Sequence, residues 1–189
     1  MSKSLESVAK NKNIPYQLEP IAGRTGTNAD HISISGKGVK TAVVSIPQRY
    51  MHTQNEVISV ADVDNRQSLL PNTLNAEVLS MIDIKLLEQL CLCNGISGDE
   101  GNVRNLIINE IKDCADDIKT DNLGNLIVFK KGKKSAKSKL MVSAHMDEVG
   151  LMVTDITSDG YLKFDEVGGI DRRVLPGKRV CVGRNGLKV

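Results

Sequence analysis

The chain has 189 residues, of which 40% are hydrophobic and 25% are charged, and its formal net charge is +2. This composition is typical of one globular domain or two small ones, and it excludes a disordered chain. The sequence lacks an apolar run of membrane-spanning length and the apolar core of a signal peptide, and its four cysteines form no Cys-x-x-Cys pair. We therefore expect a cytoplasmic protein with reduced thiols and no membrane partner.

Helices alternate with short apolar runs in the first eighty residues. The pattern predicts, in chain order, a helix over 2–12, a strand over 16–21, a buried strand over 41–46, a helix over 59–70 and a linker over 71–80. The glycine-rich segment from Gly23 to His31 admits a phosphate-loop interpretation. The Walker pattern is absent, however, so a turn that opens a helix is expected instead, with His31 on the surface.

Helical spacing changes to strand spacing within the second half of the chain. Apolar residues predict two amphipathic helices, one ending near Gly95 and the other spanning 103–114. The predicted strands that follow are 117–121, 125–130, 140–144, 151–157, 161–167 and 179–182, with another beginning at 187. Turn sequences at Asn122-Leu123-Gly124 and Asp159-Gly160 predict that the strands beside them pair as hairpins.

A lysine-rich segment separates two of these strands. Residues 130–139 contain six lysines, which admits a nucleic-acid interface as one interpretation. The segment has no arginine and no aromatic residue on which a base could stack. A solvated loop is therefore favoured, and no nucleic-acid partner is expected.

Two histidines follow predicted strands directly. His145 and Asp147 come after the strand 140–144, and His52 lies a few residues after the strand 41–46. Ligands gather outside the carboxyl ends of strands in open α/β sheets, and a carboxylate beside an imidazole fixes the tautomer that binds a metal. The hypothesis is that His145 and His52 are metal ligands at one sheet edge and that Asp147 orients His145. The alternative is a polar strand end with a surface histidine.

Motifs in both halves of the chain resemble the M42 family of metallo-aminopeptidases, which includes glutamyl aminopeptidases and endoglucanase-M-like proteins. Residues 81–189 are similar to the start of such an enzyme, and residues 1–80 are similar to the end of one. The motifs are Asn94-Gly95-Ile96-Ser97-Gly98-Asp99-Glu100, Asp121–Asn125, Ala144–Gly150, Val167–Asp171 and Arg173–Gly177 in the later part, and Gly23–Thr27, Val44–Pro47, Arg49–Thr53 and Asp62–Asn65 in the earlier part.

The resemblance implies an α/β fold, a three-layer zinc-peptidase-like sheet with helices on both faces, together with part of a β-rich dimerisation domain. It implies that residues 1–80 are a C-terminal portion and 81–149 an N-terminal portion of the catalytic domain, and that 150–189 begin the dimerisation domain. It also implies that His52 and His145 are metal ligands and that Asp147 supports catalysis. The cofactor that it implies is two divalent ions, such as zinc or cobalt. It further implies peptide substrates and association of the chain with itself or with a paralogue.

The family's other functional carboxylates have no counterpart in this sequence. The family carries a bridging aspartate, an adjacent pair of glutamates and a further aspartate ligand, whereas this chain contains no Glu-Glu pair. Asn28 and Gln54 also replace the residues usual in the family. The sequence therefore predicts two family pieces joined at Met81 and an impaired or inactive aminopeptidase. The alternative is a non-catalytic fragment that binds metal weakly or assembles with a full-length paralogue.

Overall fold

The computed structural model describes residues 2–53, 55–69, 83–132, 139–183 and 187–188. These residues divide into two compact units that interleave along the sequence. The first unit contains residues 2–49, 57–69, 83 and 139–144, and the second contains residues 50–53, 55–56, 84–132, 145–183 and 187–188.

The first unit consists of three helices and one short hairpin. Its elements are α1 (Ser2–Asn11), α2 (Ala29–Ser33), β1 (Gln48–Arg49), β2 (Val57–Ile58) and α3 (Val60–Leu69). The predicted helices over 2–12 and 59–70 are thus confirmed to within two residues at each end. The strands β1 and β2 pair in antiparallel fashion, with Gln48 opposite Ile58.

Helix α1 ends because Asn13 takes a left-handed conformation, with φ of 53°. The N–H of Ile14 then donates to the carbonyl of Ala9 at 2.9 Å, and that of Asn13 donates to Lys10 at 3.2 Å. This pair of bonds satisfies carbonyls that the helix end would leave open. Ala9 and Ile14 are buried as a result, and Lys12 Nζ extends to the carbonyl of Ser68 in α3 at 2.9 Å.

Three predicted strands in this unit are wrong. Residues 16–21, 41–46 and 140–144 belong to no strand and to no β-bridge among the described residues. The apolar side chains of 16–21 and 140–144 are exposed, with Met141 at 65% and Val142 at 60%, whereas Ala42, Val44 and Ile46 are half-buried. An apolar pattern is not sufficient for a strand, because a strand also needs a neighbouring strand to pair its backbone N–H and C=O groups.

The second unit consists of two helices and three hairpins. Its elements are α4 (Ile84–Leu92), α5 (Gly101–Ile111), β3 (Asp117–Thr120), β4 (Leu126–Phe129), β5 (Gly150–Ile156), β6 (Leu162–Val167), a 3-10 turn (Arg172–Val174), β7 (Cys181–Val182) and β8 (Leu187–Lys188). Each consecutive strand pair is antiparallel. The predicted hairpins at Asn122-Leu123-Gly124 and Asp159-Gly160 are confirmed.

The β3–β4 hairpin is closed by the carboxylate of Asp121. Its Oδ2 accepts the Asn125 side-chain amide at 2.8 Å, and its Oδ1 accepts the N–H of Asn125 at 2.8 Å and that of Leu123 at 3.0 Å. These bonds, the side-chain bond from Asn125 first, lower the pKa of Asp121. Arg104 of α5 donates to the carbonyl of Gly124 at 2.9 Å. The turn is therefore fixed both by its own aspartate and by the neighbouring helix.

The β5–β6 hairpin contains one register shift, which determines the face of the hairpin on which each side chain lies. Val153 lies opposite Phe164 and Ile156 lies opposite Leu162, with a register shift between Val153 and Asp155. Because side chains alternate along a strand, these four apolar residues share one face, which we call the apolar hairpin face. Their exposed fractions range from 37% for Leu162 to 65% for Ile156. The opposite face carries the ion pair of Lys163 with Asp155, at 2.7 Å.

A second contact holds the segment before β5 to the segment after α4. Ile96 and Glu148 form a parallel β-bridge, in which the N–H of Glu148 donates to the carbonyl of Gly95 at 2.8 Å. A Cβ at Gly95 would lie 2.5 Å from Val103 Cγ2, and one at Gly150 would lie 2.6 Å from Ile96 Cδ1. The two glycines thus permit close packing, and we call residues 95, 96, 103, 148 and 150 the glycine junction.

The described residues combine helices and antiparallel strands. The predicted three-layer arrangement and the predicted boundaries at 80 and 149 remain predictions. In the part of the chain that the structure covers, no helix has both the length and the apolar character that crossing a membrane requires. The predicted linker over 71–80 and the join at Met81 lie outside the described residues, as does most of the lysine-rich segment.

Candidate functional site

His145 is held by the residue predicted to orient it. Its Nδ1 lies 2.9 Å from the backbone oxygen of Asp147 and 3.2 Å from Asp147 Oδ1. Both partners are acceptors, so Nδ1 must carry the hydrogen. The other ring nitrogen, Nε2, then has a free lone pair, which is the state that coordinates a metal. The side chain of His145 is 78% exposed.

The contact arises without the strand on which its prediction depended. Residues 145–147 are not in a β-strand. The two residues are two positions apart in the chain, and both the carbonyl and the carboxylate of Asp147 contact the imidazole. The chain is fixed immediately afterwards, because Glu148 belongs to the glycine junction.

His52 is held by a residue distant in sequence. Its Nδ1 lies 2.9 Å from the carbonyl oxygen of Gly169, which again makes Nδ1 the donor and leaves Nε2 free. The second residue after β6 thus provides the second histidine with its acceptor. A Cβ at residue 169 would lie 3.3 Å from that same Nδ1, so the glycine also leaves room for the ring.

The backbone around His52 is strained. Tyr50 and His52 both have φ of 61°, in the left-handed region. Such a conformation costs about 1–2 kcal/mol for a residue with a side chain. The turn is stabilised by Thr53, whose N–H and hydroxyl both donate to the carbonyl of Tyr50, at 3.1 and 2.7 Å. Strain of this kind persists where the surroundings impose it and is frequent at functional sites.

Both histidine anchors lie at one end of the β5–β6 hairpin. Gly150 at the start of β5 pairs with Val167 at the end of β6. Residues 145–149 enter that end and Gly168-Gly169 leave it, and a Cβ at Gly168 would lie 2.7 Å from Val149 Cγ1. The segment carrying His145 and the carbonyl that binds His52 therefore meet at the open end of this hairpin.

Two glutamates near the histidines have structural roles. Glu148 Oε1 accepts the backbone N–H of Gly95 at 3.1 Å, and Glu56 Oε1 accepts the backbone N–H of His52 in a short bond. Each carboxylate is thus occupied by a main-chain donor.

The donor chemistry of the two imidazoles fits a divalent metal, because each ring is held with Nδ1 as donor and Nε2 open. Zinc sites of catalytic type need three protein ligands and a free position. Among the residues covered by the structure, no group of three or more His, Cys, Asp or Glu side chains could hold a metal ion. The chain therefore provides two candidate ligands and no complete centre within the described part.

The glycine-rich segment predicted as a turn leads into α2 and is held by hydrogen bonds to one carboxylate. Asp30 accepts the N–H of Thr25 at 3.0 Å, the hydroxyl of Thr25 at 2.7 Å and the N–H of Gly26 at 3.1 Å. These bonds, the backbone bond from Thr25 first, lower the pKa of Asp30. The carboxylate closes the turn into α2, as the sequence predicted in preference to phosphate binding.

Comparison with known proteins identifies the class. The profile of the M42 glutamyl aminopeptidase family matches residues 1–69 and 124–189. The chain therefore belongs to the M42 family, and the predicted resemblance is confirmed. The structural anchors described above, His52, His145 and Gly169, all fall within the matched segments.

Particular relatives agree with this assignment. A lysyl aminopeptidase of Pyrococcus furiosus is 40% identical over 101 residues, which are 53% of this chain and 28% of the relative. An endoglucanase structure from Thermotoga maritima matches with a TM-score of 0.50 and 51% identity, covering 54% of this chain and 32% of that one. An aminopeptidase structure from Desulfurococcus kamchatkensis matches with a TM-score of 0.51 and 35% identity, covering 56% and 29%.

The match to each relative is partial. The chain spans 28% of the length of the first curated relatives that it matches. Family membership follows from the matched segments, whereas the activity of a whole family enzyme is a separate question.

Proposed function

We propose that this chain carries the histidine part of a metal-dependent aminopeptidase site and is impaired or inactive in peptide hydrolysis by itself. The observation that carries the proposal is the matching state of His52 and His145. Both imidazoles donate from Nδ1 and keep Nε2 open, one to Gly169 and the other to Asp147. In this proposal the substrate class is peptides with a free N-terminus, and the ion is divalent, zinc or cobalt.

Each residue has a limited task in the proposed site. His52 and His145 hold the ion through Nε2, and Asp147 keeps the His145 ring in the required tautomer. A bound divalent ion supplies Lewis acidity and lowers the pKa of a coordinated water. The nearby glutamates Glu56 and Glu148 each accept a backbone N–H, so neither is assigned the task of accepting a proton from such a water. This deficit supports the proposed loss of activity.

Metal content tests the ligand assignment. The purified chain is dialysed against zinc or cobalt, and its bound metal is measured beside His52→Ala, His145→Ala and the control His31→Ala. We expect each of the first two changes to lower metal content and the control to leave it unchanged. Retention of metal in both site variants would refute the ligand assignment.

Turnover tests the proposed impairment. Aminoacyl-p-nitroanilide hydrolysis is followed with added zinc or cobalt, beside an ordinary M42 aminopeptidase at equal concentration. We expect a rate at or near background. A rate comparable to that of the reference enzyme would show that the missing carboxylates are provided after all.

A second candidate function is assembly with another chain, either a second copy or a longer M42 protein, through residues 150–189. The apolar hairpin face favours it, because a two-stranded sheet with one exposed apolar face gains stability by covering that face. Size-exclusion chromatography of the chain, alone and mixed with a full-length M42 protein, tests it. Elution as a monomer in both runs would contradict it.

A cytoplasmic location also belongs to the proposal. All four cysteines are free thiols, and three of them are exposed. Free exposed thiols are usual in a reducing compartment.

A further inference from the structure

We infer that Glu56 and Gly169 are positioning residues that hold His52 from its two ends. Glu56 fixes the backbone of the histidine, and the carbonyl of Gly169 fixes its ring. The inference deepens the proposed function by assigning roles to residues beyond the predicted ligands. It rests on the proposed function only for the reason why His52 is held, which is metal binding. The hydrogen bonds that hold His52 can be measured without metal or peptide.

The backbone contact is the first step. His52 lies in a turn whose left-handed φ of 61° would relax in an unsupported loop. The carboxylate of Glu56 accepts the N–H of His52, four residues earlier in the chain, in a short bond. A hydrogen bond that a main-chain N–H donates to an ionised carboxylate is stronger than one between neutral groups. The bond to Glu56 therefore offsets the cost of the left-handed backbone conformation at His52, and this conformation sets the direction of the side chain.

The ring contact is the second step. The Gly169 carbonyl can only accept, so at 2.9 Å it selects the tautomer with hydrogen on Nδ1. The space beside the ring is limited, because a Cβ at residue 169 would come within 3.3 Å of Nδ1. Residue 169 thus acts both by the carbonyl that it provides and by the side chain that it lacks.

The third histidine is an internal reference. His31 is exposed, and its ring has no hydrogen-bond partner among the described residues. His145 has its own acceptors on Asp147. Two constrained imidazoles and one unconstrained imidazole can therefore be observed in a single molecule.

The test is the tautomer of each histidine in the intact, metal-free, ¹⁵N-labelled chain. Long-range ¹H–¹⁵N correlation is recorded at mildly alkaline pH, and only signals of neutral rings are compared. We expect His52 and His145 to be predominantly the Nδ1–H tautomer, and His31 to show the distribution of a free imidazole. A His52 spectrum equal to that of His31 would overturn the inference.

The variants separate positioning from general stability. In Glu56→Ala we expect the tautomer distribution of His52 to move toward that of His31, while His145 is unchanged. Glu56→Gln keeps an acceptor oxygen and should restore the native distribution. An unchanged His52 in Glu56→Ala would remove Glu56 from the assignment.

A glycine variant keeps the test decisive if Glu56→Ala does not fold. Gly169→Ala introduces only the Cβ that faces the ring, and Gly101→Ala is the matched control, since its Cβ would make an ordinary contact of 3.6 Å with Arg104. We expect the His52 signal to shift in the first variant alone. Equal spectra of His52 in both variants would refute the role of residue 169.

Metal binding distinguishes this inference from the proposed function. If both hold, loss of such an outer partner weakens Co²⁺ binding by about 10- to 100-fold. If His52 shows the Nδ1–H tautomer but the chain binds no Co²⁺, the positioning inference holds and the metal proposal fails.

Discussion

The two units of the molecule respond differently to the same kind of sequence signal. In the second unit, apolar runs beside turn sequences form the β3–β4 and β5–β6 hairpins. In the first unit, the equally apolar runs 41–46 and 140–144 form no strand. The difference lies in where the pairing partner is. A hairpin has its partner a few residues away, whereas a single run depends on a strand that is distant in sequence.

The largest effect should come from filling the glycine junction. In Gly95→Ala the new Cβ would lie 2.5 Å from Cγ2 of Val103, which is buried and stiff at χ1 because it is β-branched in a helix. We expect a loss of about 1–3 kcal/mol in the free energy of unfolding, measured with urea. Adding Val103→Ala should recover part of the loss. If Gly95→Ala left the free energy of unfolding unchanged, the second unit would be packed no more tightly than the first.

A smaller effect is expected at the other end of the junction. Gly150→Ala would place its Cβ 2.6 Å from Ile96 Cδ1, the end of a side chain that can move. We expect a loss of about 1 kcal/mol, the low end of overpacking costs. Ile96→Val removes the Cδ1 methyl but keeps a Cγ carbon at 3.0 Å, and it should recover part of the Gly150→Ala loss in a double-mutant cycle. Additive losses would indicate that the two residues are not in contact.

Acidification should loosen a local contact of the second unit. Side-chain and backbone hydrogen bonds from Arg173 lower the pKa of Asp171 to about 2. A carboxyl whose folded pKa is depressed contributes its stabilisation fully above its unfolded pKa of 3.8, and this is lost as the pH falls through about 2. Titration of the Asp171 carboxyl carbon by NMR checks the value. In Arg173→Ala the pKa should return toward 3.8, and a value that stays near 2 would exclude the Arg173 side chain as the cause.

The smallest effect is expected in the first unit. Met141 is 65% exposed and lies in a run without a strand partner. Met141→Ser should therefore change the free energy of unfolding by less than about 0.5 kcal/mol, as for other surface positions. A loss above about 2 kcal/mol in urea denaturation would show that the run is buried in solution, and the contrast between the units would disappear.

Much of the helix and hairpin structure could be predicted because its determinants are local. Ser59 marks the start of α3, and Asp159-Gly160 closes β5 onto β6. The contact of His145 with Asp147 could also be predicted, since the residues are two positions apart. The anchor of His52 could not, because Gly169 is 117 positions away. The adjacent glycines Gly168-Gly169 were the available signal, and they indicate a close approach without naming the partner.

The irregularity in the β5–β6 hairpin bears on how this region can change in length. Thr154 lies at the register shift and has no partner in β6, whereas Val153 and Asp155 on either side of it are paired. Deleting Thr154 would leave a strand of strict two-residue alternation in which Val153 and Ile156 keep both their partners and their face. Deleting a residue at one of the paired positions would instead exchange apolar and charged side chains between the faces. Evolutionary gain or loss of a residue in this hairpin should therefore occur at position 154.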